Sequence, residues 1–272
     1  KHATTFGDQL GVVVLPAGAA LVEQALAPKV WSWQLNRPEK RNAIRPDMLD
    51  WIRVRAGELA GEVVVVSGAG GRVFSAGFDL NALPQTPSEP APDSPLPDAP
   101  LIAATAAMKH ADAIFIAALD GPAIGAAAEL VFCCDFQVAH PKVWFQVPAA
   151  ALGVVYHPEG LRAFHARLGP AFARRLLLAG ERLGAAELHQ AGRLTHLVAP
   201  EEVGPRALEL ATGLAKASAG STRAHARMLR ALEHGNVSPE LLQQHVDERR
   251  QAYARAEIGR ARASLGLAKT SS

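Results

Sequence analysis

The hydrophobic positions in the first two hundred residues fall into short apolar runs separated by segments of helical spacing. Residues 63–66 are four consecutive valines bounded by Gly61 and Gly68, and residues 114–119 form a second apolar run. Such short runs are typical of strands that are buried on both faces of a parallel sheet. Residues 21–26 and 30–35 are two further runs separated by a break at Pro28, which predicts a β-hairpin.

Helical spacing follows these strands in a regular order. Residues 47–54, 101–113 and 126–134 have the pattern of helices, and residues 136–139 that of another strand. Strand, turn, helix and strand at this pace predict an α/β core built from repeated β-β-α units.

The pattern changes near Pro200. Three amphipathic helices are predicted at residues 203–214, 222–233 and 239–260, and almost no strand signal follows Val198. We therefore predict a core domain over residues 1–200 and a helical region over residues 201–272.

Composition and charge narrow the class of protein. The chain has 272 residues, 49% of them hydrophobic and 20% charged, which is ordinary for a globular protein with a large core. The net charge of +2 comes from 28 basic and 26 acidic residues that are interspersed, so we expect no nucleic-acid partner. No run approaches the roughly 20 apolar residues of a membrane-spanning helix. Residues 10–22 are apolar, but Pro16 interrupts them and Asp8 precedes them, which favours an amino-terminal strand over a targeting signal.

Two adjacent cysteines, Cys133 and Cys134, lie in an apolar run. This placement predicts buried, reduced thiols and supports neither a disulfide framework nor a metal site. We therefore expect a cytoplasmic protein without a metal centre.

Two turns that follow predicted strands are candidates for binding a carbonyl oxygen. The first is residues 73–81 and the second is residues 121–130, where a helix is predicted to start at Ala126. The first N–H groups of a helix have no intrahelical partner and carry partial positive charge. The N–H of Phe78, which follows Gly77, is the natural second donor. We predict that the two turns together hold one carbonyl oxygen.

Several side chains near these turns have two interpretations. Glu129 is either a favourable charge at the start of a helix or a general acid or base beside the carbonyl oxygen. Tyr156 is either a hydrogen-bonded wall residue or a catalyst, and His157 is either a helix cap or an acid-base group. Lys40 and Arg41 lie in a polar loop that is either a solvated turn or a contact to a phosphate-bearing ligand.

Taken together, the motifs of the chain resemble the crotonase superfamily, also called the enoyl-CoA hydratase/isomerase family. The resemblance covers residues 20–200 in order, and it rests on Phe74-Ser75-Ala76-Gly77-Phe78-Asp79-Leu80, on Leu35-Asn36-Arg37-Pro38 before Asn42-Ala43, on residues 125–130 before Cys134-Asp135, and on Ala185-Ala186-Glu187 with Gly192 and Val198. The combination is far more specific than any one of these motifs.

This resemblance implies a crotonase-like spiral of β-β-α units and a helical carboxyl-terminal region that builds trimers or dimers of trimers. It also implies an acyl-CoA thioester as the substrate, so that coenzyme A enters with the substrate and no separate cofactor is needed. The N–H groups of Phe78 and Ala126 correspond to the family's oxyanion hole, which holds the thioester oxygen as an enolate forms. The implied coenzyme A contacts are Lys40, Arg41, Ala43, Ala76, Gly77, Asp79 and Leu80.

Two departures from the family pattern affect the predicted reaction. Residues 126–128 are alanines where many relatives have glycines, which a backbone donor tolerates if its φ stays negative. Glu129 matches the first of the two glutamates of the family's hydratases, whereas Ala149 stands where the second should be. A methyl group cannot transfer a proton, so two-glutamate hydration does not carry over.

A short segment, Gly153-Val154-Val155-Tyr156-His157, resembles methylmalonyl-CoA decarboxylases, in which a tyrosine matching Tyr156 orients the carboxylate being lost. That enzyme has a histidine where this chain has Phe78. The sequence therefore predicts an acyl-CoA enzyme of the hydratase/isomerase type. The alternatives are a decarboxylase or other enolate-forming lyase that uses Tyr156 or His157, and a catalytically reduced acyl-CoA binder.

Overall fold

The computed structural model describes residues 19–82, 95–217 and 219–254. Its strands are β1 (Leu21–Ala27), β2 (Val30–Leu35), β3 (Ala60–Gly68), β4 (Asp112–Leu119), β5 (Ala123–Ile124), β6 (Phe136–Ala139), β7 (Trp144–Gln146), β8 (Leu183–Gly184) and β9 (His196–Leu197). Its helices are α1 (Pro46–Glu58), α2 (Ala99–His110), α3 (Ala126–Cys133), α4 (Pro158–Leu177), α5 (Ala185–Gln190), α6 (Val203–Lys216), α7 (Ala219–His234) and α8 (Pro239–Ala254).

The main sheet has six strands in the order β1-β2-β3-β4-β6-β9. β1 and β2 pair antiparallel, which confirms the predicted hairpin, and the other neighbours in this sheet pair parallel. β5, β7 and β8 form a second, smaller sheet. The α/β class predicted from the strand and helix pattern is therefore confirmed.

Both faces of β3 are covered, as its run of valines predicts. Val64 and Val66 belong to one apolar cluster with buried residues of α1, α2 and α3. Val63 and Val65 belong to a second cluster with Val203, Ala207 and Ala211 of α6. Successive side chains of a strand point to opposite faces, so the helices must lie on both sides of the sheet.

Some boundaries differ from the prediction. The helix predicted at residues 101–113 is α2, which begins at Ala99 and ends at His110, so β4 begins at Asp112. Pro100 lies in the first turn of α2, where a proline does not break a helix because its missing N–H would have had no partner. Residues 83–94 of the predicted 81–100 loop, residues 10–18 of the predicted amino-terminal strand, and residues 255–260 of the last predicted helix lie outside the described residues.

The carboxyl-terminal helices are attached to the core by a buried arginine on α7. Arg230 is 8% exposed and donates to both carboxylate oxygens of Asp135. It also donates to the carbonyl oxygens of Lys109, Ala111 and Ala113, where α2 ends and β4 begins. The helical region predicted after residue 200 is present, and the domain boundary there stays a prediction. Within the described ranges, none of the helices is both long and apolar enough to cross a membrane.

Candidate active site

The two predicted turns meet because they follow neighbouring parallel strands. β3 and β4 pair directly, so the segments after them leave the sheet at the same edge. There Ser75 and Ala123 form a parallel bridge, the N–H of Phe74 donates to the carbonyl of Pro122 at 3.0 Å, and the N–H of Ile124 donates to that of Ser75 at 3.1 Å. Residues separated by about fifty positions are thus hydrogen-bonded to each other.

Gly77 makes the closest approach between the turns. Its φ is +90°, which side chains rarely adopt. A Cβ at this position would overlap the carbonyl oxygen of Ile124 and lie 3.4 Å from the backbone nitrogen of Ala126. Glycine is therefore required here, and it brings Phe78 next to the start of α3.

Two backbone N–H groups at this junction, those of Phe78 and Ala126, donate to no backbone carbonyl of the described residues. Ile44 donates to the carbonyl of Gly77 and accepts from the N–H of Asp79, both at 2.8 Å. Phe78 lies between Gly77 and Asp79, and in such a parallel bridge its own N–H points away from Ile44. Ala126 is the first residue of α3, so its N–H has no intrahelical partner. The positive φ of this turn, +56°, falls on Gly125, and Ala126 itself does not have a positive φ. An alanine can therefore serve as a backbone donor at position 126.

Glu129 lies on the first turn of α3 and is 1% exposed. Its Oε2 atom accepts the hydroxyl of Tyr156 at 2.7 Å and lies 3.0 Å from Nε2 of His157. Its Oε1 atom is buried and has no hydrogen-bond partner among the described residues. A buried oxygen left unpaired costs about 1–3 kcal/mol, and more when it is charged, so such an atom requires an explanation.

His157 has one of the two roles considered for it from the sequence, that of a helix cap. It is the residue before α4, and its Nδ1 atom accepts the N–H of Gly160 at 3.1 Å, which caps the helix. Burial lowers the pKa of His157, but the hydrogen bond and the negative charge of Glu129 outweigh burial and leave that pKa raised. Glu159, whose side chain is 52% exposed, lies 3.6 Å from Nδ1.

Tyr156 stays protonated in this environment. Burial, and then the charge and the hydrogen bond of Glu129, raise the pKa of Tyr156 well above its ordinary value. Ala149, where the family resemblance implies a second glutamate, precedes a short 3₁₀ turn and packs half-buried against the same apolar cluster as Tyr156.

The predicted coenzyme A contacts divide into exposed and internal residues. Lys40 and Arg41 are exposed, and the backbone carbonyl of Arg41 accepts the N–H of Ala76 at 2.9 Å, which joins the two predicted contact segments. Leu80 is 60% exposed.

Asp79 and Ala43 are instead held by a side chain that sequence reasoning did not assign. One nitrogen of Arg37 donates to the carboxylate of Asp79 and to the carbonyl of Ala43, both at 2.7 Å. The hydrogen bond from Arg37 lowers the pKa of Asp79. The sequence contained a signal for this ion pair, because Arg37 and Asp79 both lie in motifs on which the family resemblance rests.

The thiols and the acidic groups provide no second site. Burial raises the pKa of Cys133 to about 12 and that of Cys134 well above its ordinary value, so neither is a reactive nucleophile. Over the part of the chain that the structure describes, no three His, Cys, Asp or Glu side chains are grouped so as to hold a metal ion.

Comparison with known proteins gives a consistent result. The model of the enoyl-CoA hydratase/isomerase family matches residues 27–261. A crotonyl-CoA hydratase from Syntrophomonas wolfei is 28% identical over 65% of this chain and 68% of its own length. A 2,3-dehydroadipyl-CoA hydratase from Escherichia coli is 28% identical over 77% of this chain and 82% of its own.

Solved structures show the same fold. An enoyl-CoA hydratase subunit from Geobacillus kaustophilus superposes with a TM-score of 0.76 at 24% identity, covering 92% of this chain and 96% of that one. The expected crotonase-like arrangement with a helical carboxyl-terminal region is thus confirmed. The chain belongs to the enoyl-CoA hydratase/isomerase family.

Proposed function

We propose that the chain is an acyl-CoA enzyme that binds the thioester oxygen through the N–H groups of Phe78 and Ala126 and transfers a proton through Glu129. The observation that carries the proposal is the buried Oε1 atom of Glu129, which has no partner within the described residues. An acyl group bound beside the start of α3 would supply that partner.

The chemistry requires one carboxylate and two backbone donors. The proton of a C–H bond next to the thioester passes to Oε1, and the electron pair of that bond moves onto the thioester oxygen. The two N–H groups stabilise the negative charge that develops there. The reverse step returns a proton from Oε1 to carbon, so atoms and charge balance without a second carboxylate.

Support comes from three features. The relatives named above are hydratases of acyl-CoA substrates, the N–H groups of Phe78 and Ala126 lie on segments that touch at Gly77, and Glu129 follows Ala126 by one helical turn. Ala149 in place of a second glutamate favours a proton transfer by one carboxylate over hydration by two.

A proton-exchange experiment tests this function. Butyryl-CoA is incubated with the protein in D₂O, and deuterium at the carbon next to the thioester is followed by mass spectrometry. We expect exchange by the parent and by Glu201→Gln, an exposed control. We expect a loss of about 100-fold or more in Glu129→Gln, the range typical of a removed general base. Equal exchange by Glu129→Gln and the parent would contradict the proposal and favour an acyl-CoA binder.

Two further substrates distinguish the alternatives. Hydration of crotonyl-CoA at about 10 per second or more, a rate typical of efficient enzymes, would show that Ala149 is compensated elsewhere. Release of carbon dioxide from methylmalonyl-CoA would favour a decarboxylase. The hydroxyl of Tyr156 is engaged by Glu129, which weighs against a role in orienting a substrate carboxylate.

The contacts to coenzyme A, the assembly and the location also remain proposals. Lys40 and Arg41 are the exposed cations suited to the phosphate groups of coenzyme A. We propose a homotrimer or a dimer of trimers in the cytoplasm, and sedimentation equilibrium measures the assembly directly.

A further inference from the structure

Two side chains converge on one oxygen of Glu129. The hydroxyl of Tyr156 and the Nε2 atom of His157 both contact Oε2, at 2.7 and 3.0 Å, while Oε1 has no contact of this kind from any described residue. The carboxylate is thus held asymmetrically, with one oxygen saturated and one available. Packing alone would not require two polar groups to meet on the same atom.

Both groups donate their hydrogen to Glu129. Tyr156 remains a neutral phenol, because burial and the adjacent negative charge raise its pKa. His157 accepts the N–H of Gly160 at Nδ1, so the ring hydrogen of the neutral imidazole lies on Nε2 and points to Glu129. Hydrogen bonds donated to a carboxylate favour its ionised form.

The rings of Tyr156 and His157 occupy space that is free because residue 160 is a glycine without a side chain. They stack with centroids 5.0 Å apart and an interplanar angle of 21°. A Cβ at position 160 would overlap Cε1 of Tyr156 and lie 2.9 Å from both Cε1 and Nε2 of His157. The helix turn, the two rings and the carboxylate therefore form one packed unit, to which Phe164 adds a ring contact at 5.7 Å from Tyr156.

We propose that Tyr156 and His157 are positioning residues that hold Glu129 through Oε2 and leave its Oε1 atom to act as a base. The inference rests on the proposed function of Glu129 and extends it. Each of the two residues acts through Glu129.

Two further acidic groups act on this unit. The charge of Asp98, in the segment before α2, raises the pKa of Tyr156. Asp98 and Glu159, on the first turn of α4, act on His157.

The test compares kcat with KM in variants of Tyr156, because loss of a positioning residue lowers kcat, whereas a purely structural role does not predict a selective change in kcat. The exchange of butyryl-CoA protons in D₂O is measured for the parent and for Tyr156→Phe, which keeps the ring and removes one donor. We expect kcat to fall by about 10-fold or more while KM stays within about 2-fold.

Two further variants make the test independent of any one substitution. His157→Gln retains an N–H donor and is expected to keep more of the activity than His157→Leu, which has none. Gly160→Ala changes no titratable group, yet it is expected to lower kcat and leave KM nearly unchanged, because its methyl group displaces both rings. Far-ultraviolet circular dichroism of each variant verifies that it is folded.

The result that would overturn the inference is distinct from failure of the proposed function. If Tyr156→Phe and His157→Leu exchange protons as fast as the parent at every pH while Glu129→Gln is inactive, Glu129 is the base and the positioning role is wrong. A loss that appears in KM alone, with kcat unchanged, would likewise overturn it. Activity in Glu129→Gln would contradict the proposed function itself.

Discussion

At the scale of single residues, the sequence identified Glu129 as a candidate but could not show its partners. Tyr156 and His157 lie 27 and 28 positions further along the chain, and no local pattern reports a contact across that distance. The cap at His157 was one of its two interpretations from the sequence, and the structure shows it at the start of α4. The role of Gly160 became visible only when the space beside the two rings was known.

A second residue with unexpected importance is Asn42, which is 1% exposed and has φ +54°. Its side-chain oxygen accepts the N–H of Arg37, and its amide donates to the carbonyls of Ala69, Val73 and Phe74. We predict that Asn42→Ala lowers the free energy of unfolding by about 3 kcal/mol, since several buried groups lose their partner. Urea unfolding measures the change, and the exposed Asn236→Ala should stay within about 0.5 kcal/mol of the parent. A loss below about 1 kcal/mol for Asn42→Ala would contradict this account.

The raised pKa of His157 predicts the direction of a pH effect on stability. A group whose pKa is higher in the folded state stabilises fully below its unfolded value, 6.5, and loses that contribution as the pH rises through the folded value. The difference in unfolding free energy between the parent and His157→Gln should therefore be larger at about pH 6 than at about pH 9. Urea unfolding at both pH values measures it. A difference that grows with pH would contradict the assignment.

At the scale of elements, the strands were predicted well because their apolar runs are short and bounded by glycine or proline. Helix ends were predicted less well, since a proline in the first turn of α2 is compatible with both a loop and a helix. The two turns were predicted to act together because each follows a strand, and the structure shows that these strands are neighbours. Its closeness depends on Gly77, whose contact to Ile124 is a property of the fold.

The attachment of α7 to the core is an element-scale property that depends on Arg230. Replacement by methionine removes the arginine donor from three carbonyl groups and from Asp135, which keeps only the N–H of Phe115. We predict a loss of about 3–5 kcal/mol in unfolding free energy. Urea unfolding checks this. The control is Arg250→Met, because the side chain of Arg250 is 76% exposed and an exposed ion pair contributes about 0–1 kcal/mol. Equal stability of the two variants would show that α7 is held by its apolar contacts.

The exposed turn that carries Lys40 and Arg41 provides a prediction about binding. If these cations contact the phosphates of coenzyme A, the double variant Lys40→Ala with Arg41→Ala should raise KM for an acyl-CoA by about 10-fold and leave kcat unchanged. The effect should shrink as salt is added. Steady-state kinetics of deuterium exchange measures both constants, and the exposed Lys216→Ala is the control. An unchanged KM would place the phosphates elsewhere.

At the scale of the whole molecule, alternation of strands and helices predicted the α/β class, and the motifs from Leu35 to Val198 predicted the family. The sequence could not show which helices cover which face of the sheet. Only the structure places α6 against Val63 and Val65 while α1 to α3 cover the other face. It also could not distinguish Asp79 as an internal partner of Arg37 from Asp79 as a ligand contact, because both use the same carboxylate.

The crystal structure of a complex with butyryl-CoA tests the central claim most directly. We predict the thioester oxygen at about 2.7–3.1 Å from the backbone nitrogens of both Phe78 and Ala126. We also predict the adjacent carbon next to Oε1 of Glu129, with Oε2 still bound by Tyr156 and His157. A thioester oxygen remote from either nitrogen, or an Oε1 atom that contacts only protein, would contradict the account.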